Sequence, residues 1–398
     1  KLKSHLLSEK EEQVIGFKNS TGSGALEKLY SIITSAYTFE WKEGKKTRRL
    51  TEEELKSFLT HRDAAIRARA YDLLWNNVGK NENVLGEIYR AMAQDFWNEE
   101  VTLRKFKTPI SVRNVANDVG DETIENFLRV CEGNTGIFHD YFAWKAKHLG
   151  IENSRYHIYA PIGKPGGKWG FNEAYSLVLH TYGDFSPRFA QEARRVREAK
   201  RLDAGIRPGK VNTAFCSHVA PEEPCFVLQN WNGRFYDVST LAHELGHAIH
   251  SQLGHERSPL VWGAPLTLAE TASTFGEMLL VEKLLRETKD MEFKRYILSH
   301  QLQDAYAAIP RQAFFTRFEE EAFELVREGK STPDLHAAYY RNLRTQLGKR
   351  MHLPAHVKYE WMNISHMFEH PFYTYAYAFG QLLVLSFFER YQKEGQSF

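Results

Sequence analysis

At 398 residues the chain can bury a large core, and its formal net charge of +2, with acidic and basic side chains interspersed, argues against a nucleic-acid surface as its main theme. No window approaches the roughly 18 consecutive apolar residues of a membrane span, and the start Lys1-Leu-Lys-Ser lacks the apolar core of a secretory signal. Three cysteines without Cys-x-x-Cys spacing cannot staple a chain of this length, so a reducing, cytoplasmic setting is expected.

From Ser8 to about Gly150 the pattern is helical with short breaks. Ser8 with Glu11 and Thr51 with Glu54 have the spacing of capping boxes, and Asp121 is placed as an N-cap. Thr38 to Leu50 reads as a small hairpin turning at Gly44. Helices are predicted around 63–78, 81–106 and 121–148, and their aromatic residues Tyr89, Phe96, Trp97, Phe138, Tyr141, Phe142 and Trp144 are read as core packing.

Arg155 to Gly163 then reads as an extended segment entering a Gly/Pro/Lys loop, Asn172 as the cap of another helix, and Phe189 to about Asp203 as one more. Val211 to Val219, the turn Ala220-Pro-Glu-Glu-Pro224 and Cys225 to Gln229 read as a β-hairpin, the one strong strand pair of the chain. Cys216 and Cys225 either face each other on it or are two small buried thiols, the reading we adopt. A small sheet here would offer an edge strand to an extended peptide.

The chemistry concentrates in Asp237-Val-Ser-Thr-Leu-Ala-His-Glu-Leu-Gly-His-Ala-Ile-His250. His243 and His247 are four residues apart, so on a helix their imidazoles leave one face and can grip one ion, with zinc the natural candidate. Glu244, beside the first ligand, is placed to act on an activated water as general base. Two protein ligands are too few for a catalytic zinc. Glu270, opening a helix in Leu268-Ala-Glu-Thr-Ala-Ser-Thr-Phe-Gly-Glu277, is the expected third. Glu277, two turns on, either supports a ligating imidazole or is a solvated surface group. Asp237 is expected to cap the metal helix, and His250 to pack or hydrogen-bond, because a fourth protein ligand would close the site.

After Glu277 the chain is helical again, with a run from about Met291 to Gly329, a helix opened by Thr332-Pro333 and a last helix from near Pro371. In Ile364-Ser-His-Met-Phe-Glu-His-Pro-Phe-Tyr-Thr-Tyr-Ala-Tyr-Ala-Phe-Gly380, tyrosines 373, 375 and 377 with His366 and His370 either aim neutral donors at a developing oxyanion or form an aromatic helix start. No repeat or low-complexity linker divides the chain. A helical lobe over 1–150 and a catalytic region over 151–398 are expected to form one continuous unit.

Three of these stretches, Asp237 to His250, Ala269 to Leu280 and Pro371 to Gly380, together resemble the signatures of oligoendopeptidase F, in the thimet-oligopeptidase superfamily of zinc peptidases. The resemblance extends to Ser4-His-Leu-Leu-Ser-Glu-Lys-Glu-Glu12, to Asp203-Ala-Gly-Ile-Arg-Pro-Gly-Lys210 and to Ala214-Phe-Cys216. It implies a mainly α fold: a zincin-like catalytic core with a small β-sheet beside the HExxH helix, inside a two-lobed helical peptidase with a deep channel. It also implies one zinc per chain and cleavage of short unstructured oligopeptides as an endopeptidase, with no nucleic-acid or membrane partner. Residue by residue it assigns zinc to His243, His247 and Glu270, the base to Glu244, and transition-state donors to His366 and Tyr377, with Tyr373 or Tyr375 beside them and His370 competing with His366. Ala214, Phe215 and Tyr375 are the expected substrate contacts. Relative to the family, the chain begins after most of the N-terminal lobe and stops at Gln396-Ser-Phe before a short tail, so a more open channel is expected. The rival readings are a zinc carboxypeptidase and a peptide-binding module without catalysis.

Overall fold

Ser8 Oγ accepts from the Glu11 amide while the Glu11 carboxylate accepts from the Ser8 amide at 2.8 Å, and this capping box opens α1 (Glu9–Thr21). The structure is a computed structural model that describes every residue except Lys1, Pro208, Gly209, Val211, Asn212, Glu256, Pro259 and Leu260, and the side chain of Gln396. It divides into two units, Lys1–Pro161 with Tyr306–Tyr375, and Ile162–Ala305 with Ala376–Phe398.

In the first unit α2 (Ser23–Ser35) follows α1, and the expected hairpin pairs β1 (Phe39–Glu43) with β2 (Lys46–Leu50) around Gly44, whose φ of 59° suits a residue without Cβ. This five-residue ladder is the longest in the described chain, so the later hairpin is not the dominant strand pair. The Thr51–Glu54 box opens α3 (Glu52–Ser57), then come α4 (Ala64–Gly79) and α5 (Glu82–Phe96). The helix predicted to 106 stops at Phe96, where the chain unwinds into a wider π-helical turn, Trp97–Leu103. Next come α6 (Pro109–Ala116), α7 (Asp121–Gly133) and α8 (Gly136–Leu149). The single helix expected over 121–148 is broken at Asn134-Thr135, between two glycines. Gly120, not Asp121, holds the cap position, and Asp121 instead accepts from Ser111 Oγ and Asn114 Nδ2, both at 2.8 Å. Tyr89 and Phe142 are core residues as expected, whereas Trp144 is 54 % exposed and lies flat against His148.

The second unit begins with α9 (Phe171–Phe185) and α10 (Pro187–Glu198). Gly170 caps α9 with Glu173 reaching back to its amide, and Asn172 accepts from Arg197 instead of capping. The helix predicted from Phe189 starts at Pro187, whose fixed φ suits a first turn, and ends before β3 (Leu202–Asp203). β3 pairs parallel with β5 (Phe226–Leu228), which pairs antiparallel with β4 (Phe215–Ser217); the order β3-β5-β4 leaves β4 on an edge. Val211 and Asn212, where the hairpin was expected to begin, lie outside the described residues. Then follow α11 (Phe235–Leu253), α12 (Leu266–Ala269), α13 (Thr271–Glu287) and α14 (Met291–Ala308). Val238, Leu241, Leu245 and Ile249 of α11, all fully buried, pack with Tyr182, Ala193 and Leu280 as the core that fixes the metal helix.

The long helical run expected to Gly329 is cut at Ile309, because Pro310 lacks an amide and restrains the residue before it, so α15 (Pro310–Arg327) starts afresh. α16 (Thr332–Leu347) and the short α17 (Ser365–Glu369) complete the first unit. The last helix, α18 (Tyr375–Glu394), starts four residues after Pro371, because Phe372 takes a left-handed φ of 58° that no helix continues. Among the described residues no helix is long and apolar enough to cross a membrane.

Candidate metal centre

The second unit builds the site on α11 and α13. Asp237 Oδ2 accepts from the amides of Arg234 and Asn232 at 2.9 and 2.7 Å, so its capping role is exercised from the third helical position, with Arg234 at the cap. Gly246 lets α13 come against α11: a Cβ there would stand 2.5 Å from Ser273 Cα. Tyr182 donates its hydroxyl to the Ala242 carbonyl from the far side. α11 is thus held on both sides of the face that carries His243 and His247.

Glu270 falls in the joint between α12 and α13, at the cap position of α13, and so opens that helix as expected. There its Oε2 lies 3.3 Å from His243 Nε2 and 3.3 Å from His247 Nε2, and the two nitrogens are 3.1 Å apart. These are the edges of a triangle of donors, and a tetrahedral ion with bonds of about 2.0–2.1 Å needs ligand separations of roughly 3.3–3.4 Å. Among the described residues this is the one His/Cys/Asp/Glu group that could hold a metal ion. The residues fit the ion in charge as well. Burial alone would depress the His243 imidazole, yet hydrogen bonds to Glu270 and Glu277 push it up to about 10, the mark of a pocket that favours a cation.

Around the triangle, Glu277 Oε1 lies 2.5 Å from His243 Nδ1, and its Oε2 accepts from Ser239 Oγ at 2.7 Å. Ser273 Oγ donates to Glu270 at 3.0 Å. Sequence reading passed over both serines, although Ser239 lies one turn before His243, whose neighbour Glu277 it holds, and Ser273 one turn after Glu270, which it holds directly.

Glu244 is buried, 6 % exposed, and lines a cleft of about 500 Å³ together with the three metal candidates. Burial raises its carboxyl above the usual range, the direction a base needs to hold a proton in transit. Ala214 and, after it, Phe215 of β4 line the same cleft, as do His250 and Trp262, the last with its indole N–H on the Ser251 carbonyl at 2.9 Å. Burial lowers the His250 imidazole, and its ring is tied to the Ala269 backbone, in keeping with a packing role.

Tyr377 belongs to this unit and is half-buried on α18. One turn on, a Cβ at Gly380 would meet the Thr267 carbonyl at 3.5 Å and Glu270 Cβ at 3.6 Å, so α18 runs directly against the third ligand. His366, Tyr373 and Tyr375 belong to the first unit. There His366 stacks on Tyr373 with centroids 4.9 Å apart, and burial lowers its imidazole. Tyr375 is fully buried, its hydroxyl accepting from Asn117 Nδ2 at 2.8 Å, so that hydroxyl is spoken for inside the protein.

Residues 183–397, more than half of the chain, match the model of peptidase family M3. The chain belongs to this family. The M3 stretch takes in both histidines, Glu244, Glu270, Glu277 and the tyrosines; membership implies a metal, and the His-His-Glu group could hold one. Among curated proteins the chain is similar to oligopeptidase PepF of Bacillus subtilis, 27 % identical over all of this chain and 60 % of the relative. It is also similar to the plasmid oligoendopeptidase F of Lactococcus lactis subsp. cremoris, 26 % identical over 95 % of this chain and 63 % of the relative. The chain spans about three fifths of the length of the curated relatives it matches. The M3 fold is shared with a solved oligoendopeptidase F of Enterococcus faecium, at TM-score 0.76 and 17 % identity, over 98 % of this chain and 65 % of that one.

Proposed function

We propose that this M3 chain carries the catalytic centre of a zinc-dependent endopeptidase acting on short unstructured oligopeptides. The observation that carries the reading is the convergence of His243 Nε2, His247 Nε2 and Glu270 Oε2 within 3.1–3.3 Å of one another, with Glu244 lining the same cleft. Zinc held by these three residues supplies a Lewis acid that acidifies water and polarises a peptide carbonyl. Glu244 takes the proton of the attacking water and delivers it to the departing amine, and the burial that raises its carboxyl suits both halves of that transfer. Tyr377 donates its hydroxyl to the developing oxyanion, a role supported by its place one turn before the contact of Gly380 with Glu270. His366 and Tyr373 are assigned as further neutral donors on the strength of the family signature, and Glu277 keeps the His243 ring turned with Nε2 toward the ion.

The edge position of β4 supports docking of an extended substrate backbone beside Ala214 and Phe215, which reads main chain in preference to side chains and implies broad sequence tolerance. A carboxypeptidase would need a cation for the terminal carboxylate, and among the described residues of the cleft lining there is no Lys or Arg, which favours internal cleavage. A binding module without catalysis has no use for a buried Glu244. A cytoplasmic site of action accords with the oligopeptide substrate.

The test is Glu244→Gln, which should keep one zinc per chain and lose turnover by several decades, beside His243→Ala, His247→Ala and Glu270→Ala, which should lose the metal. Stoichiometric zinc with near-normal hydrolysis in Glu244→Gln would sink the assignment of the base. Mass-spectrometric cleavage positions on a mixed peptide library separate endo- from exopeptidase action.

A further inference from the structure

Two cysteines that the metal chemistry does not use stand on one wall of the cleft. Cys216 is the middle residue of β4 and lines the cleft beside Glu244 and His243. Its cross-strand partner is Val227, so Cys225, two residues before Val227, lies diagonally opposite on the same face of the sheet. Both are free thiols, hydrogen-bonded to one another, and Cys225 Sγ also lies 3.9 Å from the Ala248 carbonyl of α11. The two are unequal. Cys225 is buried, 1 % exposed, and its hydrogen bond with Cys216, together with Ser251 and the charges of Arg195 and Arg201, holds it below the usual cysteine range. Cys216 is the sulfur that reaches the cleft.

The register sets the consequence of joining them. On a regular ladder diagonal neighbours have Cα atoms about 7–8 Å apart, whereas a disulfide wants no more than about 6.8 Å, so closing the bond draws the segment that carries Cys225, just before β5, and β4 toward one another. β5 is held between β3 and β4, while β4 is held on one side only, so β4 is the strand that moves, taking Ala214 and Phe215 with it.

We propose that Cys216 and Cys225 are a disulfide-forming pair whose oxidation draws β4 out of its peptide-docking position. The effect on substrate rests on the reading of β4 as the docking strand. With hydrogen peroxide as oxidant, the Cys216 sulfur attacks one peroxide oxygen, the O–O bond breaks, and Cys216 becomes a sulfenic acid with release of one water. The Cys225 thiolate then attacks the sulfenic sulfur; the S–S bond forms, the S–O bond breaks, and the departing hydroxide takes the proton given up by Cys225 to leave as a second water. Two thiols lose two electrons and two protons, and one peroxide becomes two waters. A bond formed by displacing a strand is strained and readily reduced, so the change is reversible by thiols.

The experiment treats the zinc-loaded full chain with hydrogen peroxide, maps peptides without reduction, and measures KM and kcat on an internally quenched oligopeptide before oxidation, after it and after dithiothreitol. The expected result is a Cys216–Cys225 linked peptide, KM raised about tenfold with kcat within about twofold, unchanged zinc content and recovery on reduction. Cys225→Ser should show none of the peroxide effect on KM, and Cys216→Ser serves as the same control should the buried substitution not fold. Failure of the link to form, or a link with unchanged KM, overturns the proposal. Docking on β4 is read separately in the reduced protein, as protection of Cys216 from methyl methanethiosulfonate by a non-cleavable peptide. Protection with a link that leaves KM unchanged sinks the switch alone; an unprotected Cys216 sinks the docking reading and the proposed effect on KM with it.

Discussion

Glu277 Oε1 and His243 Nδ1 stand 2.5 Å apart across the interface of α13 and α11, which leaves Nε2 of that ring to face Glu270. The carboxylate is itself held by Ser239, so the imidazole is tied to a group that is fixed in its turn. Glu277→Ala should therefore weaken metal binding by about 10–100-fold while leaving all three donors present. Competition with a calibrated chelator measures it, and a change under about twofold would return Glu277 to an ordinary surface role.

Gly246→Ala sets two effects against each other. Helix propensity alone favours Ala by about 1 kcal/mol. The new methyl, however, would stand 2.5 Å from Ser273 Cα and 2.9 Å from Ser273 N, backbone atoms that cannot swing aside. Overpacking of this kind costs about 1–3 kcal/mol, so the variant should be less stable and, because Glu270 caps α13, should also bind metal less tightly. Thermal melts with and without zinc check both; a raised Tm would mean that α13 shifts freely.

The tyrosines of the last signature should separate cleanly. Tyr377→Phe is expected to lower kcat by about 10²–10³-fold with little change in KM. Tyr375→Phe removes the acceptor of the buried Asn117 amide at 2.8 Å and should lower stability by about 1–3 kcal/mol with kcat nearly unchanged. A large kcat loss at Tyr375 with none at Tyr377 would overturn the donor assignment.

In the first unit, Glu360 Oε1 accepts from both Arg155 and Arg311 at 2.8 Å, with Glu360 only 1 % exposed. Burial alone would raise its carboxyl, but the two guanidinium charges outweigh burial and hold it below the usual range. A lowered folded value means that the stabilisation is complete above the unfolded glutamate value of about 4.3 and is lost as pH falls through the folded value. Urea unfolding of the wild type should thus show stability dropping on the acid side, and Glu360→Gln should flatten that limb. Arg155→Met, which leaves the buried carboxylate to Arg311 alone, should cost about 1.5–3 kcal/mol at neutral pH.

What the sequence determined by itself was local. The capping boxes at Ser8 and Thr51, the hairpin at Gly44 and the shared helix face of His243 and His247 all follow from spacings of two to four residues, which backbone geometry converts directly into direction. Breaks such as those at Ile309-Pro310 and Asn134-Thr135 are written in Pro and Gly, inside stretches expected to be continuous helix. Tertiary structure decided the rest. Glu270 turns its carboxylate to both imidazoles because Gly246 admits α13 against α11, and β4 is an edge because β3 takes the other side of β5. The diagonal placement of Cys216 and Cys225 depends on register, and Arg155 meets Glu360 across 205 positions of chain. Such contacts depend on how distant segments pack, and periodicity along the chain carries no record of that.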